Sequence, residues 1–335
     1  MIFRLLYIPI FSLFICICNA QITKDTAFTI NAEYQKNIKK YPNIKVPVSI
    51  SSKQIKKYLD IPYHKIDNRA LKLDAFTLKS KKKLPAIIIL HGGGWKSGNK
   101  EMQTTMALEL VKKGYQAFTI EYRLSDEVKY PASIKDVEKA IDFILENAKK
   151  YNVDSSKIAI LGCSSGAQMA TLIGLKLHKK IKAIVNIDGI LAFHHPESQE
   201  GKYAELWLGG NYNQIPKIWE DASPITHVTK NSPPILFINS QFDRFHAGRD
   251  DMIAELNNYG IYSEIKKIEN SPHTFWLFHP WFLPTIEYTL SRSGYRWATD
   301  LVPSGYNKTL ETLRLNPFNS QFNTSYYEGL HRLLG

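Results

Sequence analysis

Residues 157–174 read KIAILGCSSGAQMATLIG, and the fold turns on how this stretch is understood. KIAILG is a short apolar run of strand character, and small, helix-compatible residues continue from Ala167. Between them stands Gly162-Cys163-Ser164-Ser165-Gly166. A sharp turn from strand to helix lifts the Ser164 hydroxyl above a sheet, and a glycine on either side relieves the crowding a side chain causes there. Alone, the pattern is weak, because glycine and serine are common in turns.

Working outward, strands and helices alternate. LPAIIIL (84–90) is continuously apolar, as in a strand buried on both faces of a parallel sheet. A helix is predicted over Met102–Lys113, a strand in YQAFTIEYR, and a helix from Pro131 through Tyr151. Ala167–His178 continues the turn at Ser164 as a helix. IKAIVNID and PPILFINS read as further strands, Ala247–Tyr259 as a helix, YSEIKKIE as a strand and Pro280–Ser291 as a last helix. This alternation implies an α/β fold with a mostly parallel sheet, whose working residues lie past the carboxyl ends of the strands.

Three further segments fall in such loops. HGGGW (91–95) follows the strand at 84–90, and its consecutive glycines let backbone N–H groups converge on one point. Gly93 and Gly94, with the N–H of Ser165, are the candidate oxyanion donors, and His91 reads as a brace for that loop. A serine nucleophile also needs a histidine to accept its proton and a carboxylate to orient that histidine. Asp243 follows PPILFINS and His273 follows YSEIKKIE, in the chain order serine, acid, histidine. Asp188, at the end of IVNID, is the alternative acid if the site is built one strand earlier. Asp250 and Asp251 read as solvated helix positions. His194, His195, His246 and His279 lack the strand-then-loop placement of His273. Cys163, next to the apex, reads as a small buried residue.

Taken together, LPAIIILHGGGWKSGNK, GYQAFTIEYRLSDEVKYPASIKDVEKAI, KIAILGCSSGAQMATLIG, WLGGNYNQIPKIWEDASPITHV and PPILFINSQFDR with NSPHTFW resemble the α/β-hydrolase superfamily, over roughly residues 60–290. The resemblance is to its HGGGW esterases, related to hormone-sensitive lipase and to bacterial acetyl-xylan and feruloyl esterases. It implies Ser164 as nucleophile, Asp243 as acid, His273 as base, and Gly93, Gly94 and Ser165 as oxyanion donors. It calls for no metal or cofactor, and no Cys/His cluster with zinc spacing is present. Many relatives carry Ala or Asp where this chain has Ser165, but the donor there is a backbone group.

The domain reading is a lead-in at 21–60, a hydrolase domain at 61–293 with a cap insert at about 191–230, and an extension at 294–335. Tyr203, Trp207, Tyr212 and Trp219 populate the insert; Trp95, His194 and Trp207 are the candidate substrate contacts, with cap core as the competing role for such aromatics. The first twenty residues, MIFRLLYIPIFSLFICICNA, have the layout of a secretory signal peptide cleaved after Ala20, so a secreted or periplasmic protein with no stable membrane insertion is expected. Pro9 and the short apolar run count against an anchor. Cys16 and Cys18 leave with that segment, so no intramolecular disulfide is expected. Net charge is +12, concentrated early in runs such as Lys79, Lys81, Lys82 and Lys83. Such runs are solvated faces, and no nucleic-acid-binding motif accompanies them. The expected partner is a small ester or an acylated polysaccharide, acetyl foremost. A pectin methyl or feruloyl ester is the rival substrate, and a prolyl-oligopeptidase-like exopeptidase or a non-catalytic binding protein the rival class.

Overall fold

The computed structural model describes residues 27–49 and 52–290. The expected signal peptide with its cleavage after Ala20, and the extension at 294–335, lie outside the described residues. One sheet contains eight strands: β1 (Ile55–Ile66), β2 (Arg69–Leu78), β3 (Leu84–Leu90), β4 (Gln116–Ile120), β5 (Val153–Cys163), β6 (Ala183–Ile187), β7 (Ile235–Asn239) and β8 (Ser263–Lys267). The helices are α1 (Ile30–Asn37), α2 (Thr104–Lys112), α3 (Ala132–Glu146), α4 (Ser165–Lys176), α5 (Gly201–Leu208), α6 (Pro216–Ala222), α7 (Arg249–Asn258) and α8 (Phe282–Leu290).

The strand order is β1-β2-β4-β3-β5-β6-β7-β8. β2 pairs antiparallel with β1 and β4, and every neighbouring pair from β4 to β8 is parallel. Each parallel step needs a crossover, which is why helices separate these strands. All of β3 is buried, and its side chains serve two cores in turn. Ile88 and Leu90 join the core under α3, α4 and α7, and Ile87 and Ile89 join the one under α1, α2 and α8. The continuous apolar run read in the sequence is thus a central strand covered on both faces.

The β1–β2 hairpin is an element the sequence reading missed. Most of β1 is exposed or half-buried and carries lysines, so it shows neither a continuous apolar run nor a clean alternation. It begins at Ile55, inside the stretch read as a lead-in. Between β2 and β3 the expected lysine run at 79–83 is a solvent-exposed turn.

Residues 27–49 of the lead-in dock on the loop after β8. Thr29 caps α1 by accepting from the Ala32 N–H at 3.1 Å. One turn in, Glu33 is buried and accepts from the Thr274 hydroxyl at 3.1 Å. Tyr34 packs on Phe278, and the His279 N–H donates to the Lys45 carbonyl at 2.9 Å. This strap lies along the loop that carries His273. Glu33→Ala leaves the buried Thr274 hydroxyl without an acceptor and is expected to cost about 1–3 kcal/mol. Urea unfolding checks this, and an unchanged midpoint would show that apolar contacts alone hold the strap.

Candidate active site

The strand ends are in register. Leu90 pairs with Gly162, Cys163 with Ile187, and Ile187 with Ile238. The loops that leave β3, β5, β6 and β7 therefore open side by side at one edge. Ser164, immediately after β5, has φ +54°, and its N–H donates to the Ile187 carbonyl at 2.8 Å. The turn closes so tightly that a Cβ on Gly162 would lie 2.0 Å from the Gly166 carbonyl oxygen, and one on Gly166 would lie 2.2 Å from the His91 carbonyl oxygen. Glycine at both positions is a steric requirement, and it packs the serine turn against the HGGGW loop.

That loop has the expected form. His91 is buried, stacks on Tyr122 at 4.4 Å, and its carbonyl accepts from the Tyr122 hydroxyl at 2.7 Å. It is a brace, as its sequence position suggests. Gly93 has φ +129°, a region closed to L side chains, and a Cβ there would meet the Ser97 carbonyl at 2.1 Å. Among the described residues, the N–H groups of Gly93, Gly94 and Ser165 have no hydrogen-bond acceptor. Ser165 begins α4, so its N–H also carries the positive end of the helix dipole. Cys163 is fully buried, and burial pushes its thiol well above the usual range, which leaves it inert.

His273 Nε2 lies 2.9 Å from Ser164 Oγ. His273 Nδ1 lies 2.8 Å from Asp188 Oδ2. The carboxylate beside His273 is therefore Asp188, and the expectation that Asp243 fills this place is corrected. The reason is topological: β6 is the direct neighbour of β5, so Asp188 emerges beside the serine turn. Asp243 instead opens a 3-10 turn, Asp243–His246, that turns its side chain to solvent (78 % exposed) and His246 inward.

Asp188 is buried, has φ +52°, and receives several donors. The Ser240 N–H donates to Oδ1 at 2.9 Å and the Ser240 hydroxyl to Oδ2 at 2.6 Å. Burial alone would raise its carboxyl, but hydrogen bonds from His246, His273 and Ser240, with the charge of His273, bring it down to about 2.

His273 is held from several sides. Phe245 stacks on the His273 ring at 3.4 Å, Trp276 meets it edge-on at 5.2 Å, and the Arg244 guanidinium lies 4.1 Å from the Phe245 centroid. Gln241 ties this turn to the His273 loop through the Ser271 carbonyl at 3.1 Å. Ser240 and Phe245 carry no sequence signal, since their places come from contacts across loops, and His246, a rival to His273 in the sequence, faces Asp188 instead of Ser164.

Two of the three expected substrate contacts lie in the core. Trp95 and Trp207 are 2 % and 1 % exposed and stack on each other at 5.2 Å. The Trp95 indole donates to Gln168 Oε1 at 2.9 Å, and Gln168 Nε2 donates to the Ala222 carbonyl at 2.7 Å. This cluster binds the insert to the body and leaves neither indole a face for a ligand. His194 is exposed and stacks on Tyr212 at 3.6 Å. The aromatic that does reach the mouth is Tyr203, 56 % exposed, with ring carbons 3.2 Å from where a Gly94 Cβ would sit. Glu200, one turn before it, is half-buried; burial raises its carboxyl, and the charges of His273 and Arg244 partly offset that.

The fold and the loop sequences define the class: the chain belongs to the BD-FAE family, whose match spans residues 73–247, and it has the α/β-hydrolase fold. It is 28% identical over 198 residues to Esterase LipC of Mycobacterium tuberculosis, a match covering 53% of this chain and 49% of LipC. This chain thus spans about half the length of that relative. Its structure is similar to a truncated carbohydrate esterase from gut microbiota (TM-score 0.61, 22% identity), covering 76% of this chain and 100% of that one. It is also similar to an acetyl ester-xyloside bifunctional hydrolase from Caldicellulosiruptor lactoaceticus (TM-score 0.55, 22% identity), covering 63% and 86%. No helix among the described residues is long and apolar enough to cross a membrane.

Because the folded Asp188 carboxyl sits below its unfolded value of about 3.9, its ionisation stabilises the fold above that pH, and the contribution is lost as pH falls toward about 2. Between about pH 5 and pH 2 the wild type is expected to lose about 2 kcal/mol more than Asp188→Asn. Parallel decline of the two in urea titrations would show that the donors around Asp188 do not hold its charge.

Proposed function

We propose that this protein is a serine carboxylic-ester hydrolase that removes short acyl groups, acetyl foremost, from saccharides. The observation that carries the reading is the unbroken chain from Ser164 Oγ through His273 to the buried Asp188, with distances of 2.9 and 2.8 Å. In this reading His273 Nε2 takes the Ser164 proton as Oγ attacks the ester carbonyl, and the imidazolium formed keeps its Nδ1–H on Asp188. The carbonyl oxygen, now an oxyanion, is received by the N–H groups of Gly93, Gly94 and Ser165. His273 then protonates the departing alcohol. Water activated by the same nitrogen attacks the acyl-serine, releases the acid and restores the Ser164 proton.

The saccharide assignment draws on two observations. Most aromatics of the insert are spent in the cluster around Trp95 and Trp207, and among the described residues no large apolar lid suited to a lipid surface remains. Beside the HGGGW loop stands the exposed phenol ring of Tyr203, and Glu200 lies close enough to His273 and Arg244 to feel their charges, a setting suited to a hydroxylated alcohol. The names of the two similar structures, a carbohydrate esterase and an acetyl ester-xyloside hydrolase, point the same way. Export through the expected signal peptide would bring the enzyme to such substrates.

Acetylated, methyl-esterified and feruloylated polysaccharides offered together test the assignment. Acetate is expected from the wild type and none above background from Ser164→Ala, whose kcat should fall by about 10⁴-fold or more. Methanol or ferulate would keep the serine chemistry and change the substrate; no product would turn attention to peptides. Asp188→Asn is expected to lower kcat by about 10³–10⁴-fold, and Asp243→Asn by no more than about tenfold. The reverse ranking on p-nitrophenyl acetate would return the acid role to Asp243.

A further inference from the structure

The first turn of α5 carries two side chains that neither the core nor the serine chemistry uses, Glu200 and Tyr203. Glu200 precedes the helix with helical dihedrals, and its carbonyl accepts from the N–H groups of Tyr203 and Ala204 at 2.9 and 3.1 Å. The rest of the helix is fastened to the body. Ala204, Trp207 and Leu208 are buried, the Trp207 indole donates to the Ser133 hydroxyl at 3.0 Å, and the Trp207 carbonyl accepts from the Tyr130 N–H at 2.9 Å. Residues three apart on a helical turn are neighbours, with Cβ atoms about 5–6 Å apart, a span that one pyranose ring covers.

Each of the two leaves a demand unmet. Cδ1, Cε1 and Cγ of Tyr203 lie 3.2, 3.6 and 3.8 Å from where a Gly94 Cβ would sit, yet the residue is 56 % exposed. One side of the ring therefore rests on the HGGGW loop, and much of the remainder is apolar surface left to water, which the C–H face of a sugar would cover. Glu200 is half-buried, lies close enough to His273 and Arg244 to feel their charges, and burial raises its carboxyl. Among the described residues no N–H or O–H donates to that carboxylate. A partly desolvated acceptor without a donor is unfavourable until a ligand supplies one.

We propose that the first turn of α5 is a sugar subsite, in which Tyr203 stacks on one face of the pyranose ring that carries the ester and Glu200 accepts a hydroxyl of the same ring. The subsite rests on the reading of Ser164 as the nucleophile of a saccharide ester hydrolase. In that reaction the ester carbonyl oxygen turns to the HGGGW loop and the leaving oxygen to His273. Tyr203 leans on the first and Glu200 lies near the second, so a ring attached through the leaving oxygen comes within reach of both. The ligand class is a neutral, hydroxyl-rich pyranoside, whose apolar C–H face and hydroxyl edge match the two side chains.

Acetylated xylotetraose and ethyl acetate, whose alcohol has neither a ring nor a second hydroxyl, test the subsite when acetate release from both is measured on the same preparations. The readout is the ratio of the two kcat/KM values, which a partly misfolded variant leaves unchanged. Tyr203→Ala is expected to lower this ratio by about tenfold, mainly through KM, and Tyr203→Phe, which keeps the ring, by no more than about twofold. Glu200→Ala should lower it by about tenfold as well, whereas Glu200→Gln, which keeps an acceptor oxygen, should hold most of it. An unchanged ratio in Tyr203→Ala, or a Tyr203→Phe as deficient as Tyr203→Ala, sinks the stacking role. An unchanged ratio in Glu200→Ala, or a Glu200→Gln as deficient as Glu200→Ala, sinks the recognition of a hydroxyl by Glu200. A wild type that cleaves ethyl acetate and releases no acetate from the tetraose would instead sink the saccharide reading on which the subsite stands.

Discussion

Everything at the site depends on one close approach of backbone to backbone. β5 ends, the chain reverses at Ser164 with φ +54°, and α4 begins at once. The turn is so compact that Gly162 and Gly166 are nearly in contact, and Gly166 lies against the carbonyl oxygens of Leu90 and His91. No residue larger than glycine fits, so the serine turn and the HGGGW loop form one unit. From that contact follow the packing of the HGGGW loop against the serine turn and the start of α4 immediately after Ser164. The strained dihedral at Ser164, with those of Trp95 and Asp188, is tolerated because packing on all sides determines it.

The second constraint is electrostatic. A carboxylate as buried as Asp188 is costly unless donors surround it. Ser240 supplies two, His273 and His246 one each, and the result is an acid that stays ionised far below neutral pH. The same donors fix its orientation. Around them the Phe245 stack, the Gln241 link to Ser271 and the Glu33 contact to Thr274 hold the His273 loop from three directions. The strap at 27–49 therefore braces the His273 loop from outside the sheet.

The insert shows how aromatic content misleads when read without contacts. Trp207 donates to the Ser133 hydroxyl at 3.0 Å and stacks on Trp95, which is tied to α4 through Gln168. These rings fasten the insert to the body above the site, and their burial is what leaves the mouth polar.

By itself the sequence determined the parallel sheet, the serine turn, the HGGGW loop and the loop that carries His273. Each of these is written in local patterns: apolar runs of strand length, glycines where no side chain fits, and a histidine in a loop just past a strand. The β1–β2 hairpin was less legible because an edge strand of an antiparallel pair faces solvent and carries lysines, which dilutes its periodicity. Only the tertiary structure decided which aspartate faces His273. Asp188 and Asp243 both follow a strand and both satisfy the order serine, acid, histidine, so no local signal separates them. The choice rests on which strand lies beside β5, and on a 3-10 turn that sends Asp243 outward and His246 in. Those are facts of lateral strand neighbours and of side-chain direction, and a linear pattern carries neither.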